Sequence, residues 1–246
     1  WIGGDRDGNP SVRAAVTWET LLMHRQLALK KYEEALREGL KLLSFSSTLV
    51  RVSDELLASI EKDRAEVELR GDDLWRNESE PYRVKLSYMI ERIHNTRTGA
   101  PQGRYNGPEE LLEDLRIVDR SLRSHYAEAA ADQFAGKLIR QVELFGFHLA
   151  SLDIRQHSKE HEAALTEILA KMGIVENYAE LPEDEKVAVL TRLLDDPRPL
   201  TSPYFEYSES TQEALDVVRT VRRAQDEFGR RAVRSYLISM SEAASD

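Results

Sequence analysis

The chain has 246 residues, 41% of them hydrophobic and 32% charged, which suits one large globular domain or two small ones and excludes disordered and fibrous classes. Its formal charge of -10, from 34 Lys and Arg against 44 Asp and Glu, argues against a nucleic-acid surface. The absence of cysteine excludes a disulfide scaffold, a cysteine nucleophile and thiolate metal sites.

The first ten residues, WIGGDRDGNP, begin on Trp1 with no methionine and read like the interior of a longer sequence. In SVRAAVTWETLLMHRQLALKKYEEALREGLKLL, Val16, Leu22, Leu29, Ala35 and Leu36 recur at helical spacing and predict a long amphipathic helix. SDELLASIEKDRAEVELR predicts a second, with Ser53 as N-cap, Asp54 and Glu55 in the first turn and Gly71 as its stop. EPYRVKLSYMIERIHNTR predicts a third, with Pro81 in the first turn and Gly99-Ala100-Pro101 closing it. PEELLEDLRIVDRSLRSHY, opened by Pro108, and ADQFAGKLIRQVELF supply two more.

After Gly146 the period changes. FGFHLASLDIRQ carries Phe147, Leu149, Leu152 and Ile154 in a short apolar run that predicts a buried strand. SKEHEAALTEILAKMG returns to helix and stops at Gly173; another short helix starts at Pro182. STQEALDVVRTVRRAQDEF begins with Ser210 and Glu213 at capping-box spacing. VRSYLISM, with Val233, Tyr236, Leu237 and Ile238, predicts a last buried strand before SEAASD.

The inventory is mainly α, with long helices and two or three strands, and no linker divides it: residues 1–246 read as one structural unit. Lone strands need partners, and parallel strands separated by helical excursions suit an incomplete portion of a TIM-like β/α barrel. No stretch approaches the roughly 18 apolar residues of a membrane span, and no charged-then-apolar leader opens the sequence. Neither nucleic acid nor a membrane is expected as a partner, and a cytoplasmic location fits.

Two motifs carry chemistry. In GGDRDGNP, Gly3, Gly4 and Gly8 permit close backbone approach, and Asp5, Arg6, Asp7 and Asn9 form a polar turn. That turn is either a ligand loop or one braced by ion pairs among its charges. LDIRQHS puts Arg155 at the carboxyl end of a strand, where β/α barrels bind ligands. Its guanidinium suits a phosphate or carboxylate, or else a structural pairing with Asp153 or Asp5.

The blocks WIGGDRDGNP, PYRV with NTR, FGFHLASLDIRQHS followed by HEAAL, and YLISMSEAASD occur in this order from end to end, and together they resemble the phosphoenolpyruvate carboxylase family. The resemblance implies a much longer homotetrameric enzyme on a β/α barrel, of which this chain is the central segment, without the full barrel and the C-terminal catalytic loops. It implies formation of oxaloacetate and phosphate from phosphoenolpyruvate and bicarbonate with Mg2+ or Mn2+, and allosteric control. Residue by residue, Arg155 matches the arginine that binds substrate phosphate, and Trp1 a tryptophan of the CO2 pocket. Arg83 in PYRV matches an arginine of the sugar-phosphate activator site. The family's catalytic His-Pro-Thr motif, acidic metal-holding segments and glycine-rich loop have no match here. The isolated segment is therefore expected to be inactive and to bind no metal.

His157 stands where many family members have Glu, and with His161 it has the i, i+4 spacing of two zinc-binding imidazoles. A third ligand is not evident, and the alternative is a histidine pair at a helix start. His148 reads as a core histidine; His24, His94 and His125 show no partner pattern. The arginines of VRTVRRAQDEFGRR alternate with Asp226 and Glu227 and read as a solvated or contact face. Trp18 and Trp75 read as core or interface. A rival from another class is a non-catalytic helical binding or regulatory module of the same fold, which predicts covered strand edges.

Overall fold

A computed structural model describes residues 2–9, 11–69 and 77–246. The chain packs as two compact units, Leu22–Ala150 and Trp1–Leu21 with Ser151–Asp246. One boundary falls inside a continuous helix, α1 (Ala14–Leu42), so no linker composition marks it.

In the unit Leu22–Ala150, α1 is followed by α2 (Asp54–Glu66), α3 (Pro81–Thr98) and α4 (Pro108–Ser124). A turn at Glu128–Ala130 and a π-helical stretch at Ala131–Gly136 then lead into α5 (Lys137–Phe145). Ser53 caps α2 as its sequence predicts, accepting from the Leu56 N–H at 3.2 Å. The helix ends at Glu66, where Val67 turns extended; the Gly71 stop and Trp75 lie outside the described residues. Pro81 and Pro108 each open a helix, and Gly99, at φ 75°, closes α3 with its N–H on the Asn95 carbonyl. α3 is buried on nearly every side, through Tyr82, Leu86, Met89 and Ile93, as a core helix must be. The π-helical stretch places Phe134 against Gly39 of α1, where a Cβ would sit 2.4 Å from the ring; glycine permits that approach.

This unit also buries charge. Lys85 Nζ lies 2.6 Å from both Asp63 Oδ2 and Asp114 Oδ1. Tyr105 donates to Asp114 at 2.7 Å, and Arg92 reaches Asp63 at 3.3 Å. Burial pushes the Asp63 carboxyl up, with Lys85 pulling the other way.

The second unit holds β1 (Leu152–His157), α6 (Ser158–Lys171), a 3-10 turn at Tyr178–Glu180, α7 (Glu183–Asp195), α8 (Glu209–Phe228) and β2 (Val233–Ser239). The strands form a two-stranded parallel sheet with Arg155 opposite Leu237, and the helices between them make the crossover that parallel pairing requires. Asp5 adds one parallel bridge to Arg155. The described residues are thus mainly helical with one small parallel sheet.

Three local expectations change. The strand predicted from Phe147 begins at Leu152; Phe147 and Leu149 instead pack with the core of the other unit, and Leu149 takes φ 60°. A short apolar run does not by itself distinguish strand from buried turn. His148 is buried as predicted, in that turn and not on a strand. The cap of α8 is Ser208, which accepts from the Thr211 N–H at 3.4 Å, and not Ser210. Glu213 is instead taken up by the Ala14 N–H at 2.6 Å. Among the described residues, no helix is long and apolar enough to cross a membrane.

Candidate active-site region

Arg155 sits in the second half of β1, a strand bonded along both edges. On one edge it pairs with β2; on the other the Arg155 N–H donates to the Gly4 carbonyl at 2.9 Å and the Arg155 carbonyl accepts from the Arg6 N–H at 3.1 Å. Side chains alternate across a sheet, so Arg155 shares a face with Asp153 and His157, while Ile154 between them is fully buried. Arg155 is half-buried.

The glycines of GGDRDGNP have separate steric reasons. A Cβ on Gly4 would lie 2.1 Å from the Asp153 carbonyl oxygen, and one on Gly3, at φ 80°, would lie 2.2 Å from Thr20 Oγ1. Only glycine lets this backbone lie against β1 on one side and α1 on the other. Among the described residues, no ion pair joins Asp5, Arg6 and Asp7, so the predicted charge network does not hold the turn. Arg6 holds it, 7% exposed, through Nη1 to the Gly4 carbonyl at 3.3 Å and Nη2 to Thr17 Oγ1 at 2.5 Å. Thr17 passes the bond on to the Gly3 carbonyl at 2.7 Å. Burial lowers the Arg6 pKa, opposed by Tyr236 and Glu213. Asp5 Oδ1 accepts from the Gly8 N–H at 3.2 Å, and Asn9 Oδ1 from the Ser11 N–H at 3.0 Å; Asp7 is exposed.

A cleft of about 780 Å³ opens beside this loop, lined by Arg6, Asp7, Gln156, His157, Glu160 and Glu213 among others. Gln156 and His157 place it at the carboxyl end of β1, and Arg155 is not in its lining. The structure does not bring His157 and His161 to a common point. His157 Nδ1 accepts from the Lys159 N–H at 3.1 Å and so caps α6. The His161 Nε2 lies 3.4 Å from the Tyr236 hydroxyl, and burial lowers its pKa. Among the described residues, no group of three His, Asp or Glu could hold a metal ion, so these residues do not fit a divalent cation.

Trp1 lies outside the described residues. Arg83 belongs to the other unit, where its Nε donates to the Leu40 carbonyl at 2.7 Å and its Nη1 lies 3.1 Å from Glu80. The arginines of α8 are neutralised along the helix by Asp216, Asp226 and Glu227. Sequence reasoning missed Thr17 and its bond to Arg6, and the Tyr82 hydroxyl that meets His125 Nε2 at 2.8 Å. The signal would have been two threonines, Thr17 and Thr20, on the same face of α1 as Ala14 and Leu21.

Compared with known proteins, residues 1–246 match the family model described as phosphoenolpyruvate carboxylase. The chain belongs to the phosphoenolpyruvate carboxylase family. It is 40% identical over 264 residues to a phosphoenolpyruvate carboxylase of Synechocystis sp., 39% over 267 residues to one of Synechococcus sp. and 38% over 257 residues to one of Burkholderia mallei. All of the chain is covered in each comparison, but only 25%, 25% and 26% of the relatives. The chain thus spans about a quarter of the length of the curated carboxylases it matches.

Proposed function

We propose that this chain is the central part of a phosphoenolpyruvate carboxylase, which joins phosphoenolpyruvate and bicarbonate to give oxaloacetate and phosphate. The observation that carries this reading is the family match along all 246 residues; Arg155, on a strand gripped along both edges, gives it a chemical centre. In this reading β1 and β2 are neighbouring strands of a β/α barrel, whose carboxyl ends carry ligands. The Arg155 guanidinium binds the substrate phosphate as a two-pronged donor. Bicarbonate attacks that phosphate, breaking the bond to the enol oxygen and leaving carboxyphosphate and the enolate of pyruvate. Carboxyphosphate splits to CO2 and phosphate, and the enolate carbon captures CO2. A fixed cation stabilises the charge passing through the phosphate oxygens.

The edge of β2 that no strand pairs among the described residues supports a part of a larger enzyme over a stand-alone regulatory module. Among the described residues β2 pairs only with β1, and it leaves Leu237 42% and Ile238 39% exposed, where the module reading predicts a covered edge. The same proposal assigns Mg2+ or Mn2+ to residues elsewhere in the longer enzyme, a sugar-phosphate role to Arg83, a CO2-pocket role to Trp1, and a cytoplasmic homotetramer to the parent. A coupled oxaloacetate assay with phosphoenolpyruvate, bicarbonate and Mg2+ tests it. The full-length enzyme turns over, the 246-residue chain alone does not, and Arg155→Gln lowers full-length kcat/KM by about 100-fold or more. Turnover by the chain alone would overturn the need for further segments; an unchanged Arg155→Gln would remove Arg155 from the site.

A further inference from the structure

Arg6 is a charged side chain that the proposed chemistry does not use, yet it is 7% exposed. Cationic side chains are seldom buried unless their bonds are needed. Its Nη1 is engaged inside the loop, on the Gly4 carbonyl, and its Nη2 on Thr17 of α1. The backbone they hold is the backbone that grips Arg155, since Gly4 accepts from the Arg155 N–H and the Arg6 N–H donates to the Arg155 carbonyl. Both polar backbone groups of Arg155 thus end on a three-residue span whose geometry one buried guanidinium sets. α1 supplies the anchor: Thr17 accepts from Arg6 and donates to the Gly3 carbonyl at 2.7 Å.

We propose that Arg6 is a positioning residue for Arg155, its buried guanidinium and Thr17 together locking the Gly3-Gly4 backbone against β1 and so fixing the strand segment that presents Arg155. This rests on the phosphate-binding role of Arg155 proposed above. Displacing a positioned group by about 1 Å costs on the order of 100-fold in rate, so a clamp acting through the backbone is worth a measurable part of that. The proposed effect of Arg6 passes through the backbone, by way of Gly4 to Arg155.

The test is a double-mutant cycle in the full-length carboxylase, reading kcat and the KM for phosphoenolpyruvate. Thr17→Val keeps the side-chain shape and removes the hydroxyl that links Arg6 to Gly3; it is expected to lower kcat/KM about tenfold, while Thr17→Ser restores it. Arg6→Gln should fall at least as far, and if that variant does not fold the Thr17 pair decides. The positioning signature is coupling: with Arg155→Gln already in place, Thr17→Val should lower kcat/KM by less than about twofold. If Arg155→Gln is damaging but Thr17→Val is silent, or its loss multiplies in full on the Arg155→Gln background, the clamp is overturned and the phosphate reading stands. If Arg155→Gln itself is silent, both fall.

Discussion

At the scale of single residues, this chain places charge where burial makes its removal costly. Lys85 is fully buried on α3 and satisfies Asp63 and Asp114 at 2.6 Å each. Replacing a buried ion cluster wholesale with apolar groups can be neutral, but removing one partner strands the others. Lys85→Met should therefore destabilise the unit by about 3–5 kcal/mol, measured by urea unfolding at pH 7. The sign of its pH dependence follows from Asp63. Burial already raises that carboxyl and Lys85 opposes the rise; without Lys85 the folded pKa climbs further above the unfolded value. The folded variant then binds protons more readily than the unfolded chain, so its deficit should shrink as the pH is lowered. A loss below about 1 kcal/mol would mean that the cluster is no more than a solvated surface pair. The same scale explains GGDRDGNP: its two leading glycines answer to the Asp153 carbonyl and to Thr20, contacts that sequence spacing does not display.

Element boundaries show what sequence could and could not reveal. Signals that act within a turn were legible: Ser53 as a cap, Pro81 and Pro108 as openers, Gly99 and Gly173 in left-handed backbone at helix ends. Arg155 was legible as a strand residue too, because period and motif agree there. Choices made by tertiary partners were not legible. Ser208 and Ser210 are both acceptable caps for α8, and the selection is made by Glu167 of α6, which accepts from the Ser208 N–H at 2.9 Å and the Ser208 hydroxyl at 2.6 Å. Desolvation works against the Glu167 charge, but bonds from Ser208, Thr211 and Lys171 outweigh it and bring its pKa to about 2. A carboxylate held below its unfolded value of 4.5 contributes stability that is complete above pH 4.5 and is lost as the pH falls towards 2. Glu167→Gln should flatten the acid limb of stability against pH in that window and leave its alkaline limb unchanged. An acid limb identical to wild type would show that the Glu167–Ser208 contact contributes nothing in solution.

For the whole molecule, the decisive feature is a sheet of two strands among the described residues. β1 is bonded on both edges, by β2 and by the Gly4–Arg6 segment, whereas among the described residues β2 pairs with a strand on one edge only, its Val233 carbonyl taking Gln225 Nε2 of α8 at 3.0 Å. In β2, Tyr236, Leu237 and Ile238 are 37%, 42% and 39% exposed on its alternating faces, with Met240 at 66% just beyond. A row of unpaired N–H and C=O groups flanked by apolar side chains is a template for another strand, and natural proteins cover or charge such edges. β2 carries Arg234 at its start but no charge from Ser235 to Ser239, so nothing along its length repels a second copy. The 246-residue chain alone should accordingly self-associate as its concentration rises, seen as a growing mass by size-exclusion chromatography with light scattering. Ile238→Lys, which puts a charge on that edge, should return it towards the monomer, whereas Leu194→Lys, at an 87% exposed position on α7, should not. A chain that stays monomeric at every concentration would mean that the edge is covered in solution, and the case for a missing neighbouring strand would weaken with it. If association persists in Ile238→Lys but disappears in Leu194→Lys, the apolar surface of α7 and not the sheet edge is the sticky one. The edge explanation predicts the first pattern because backbone pairing needs the strands to approach to about 4.8 Å, a spacing at which an inserted lysine charge meets its own copy.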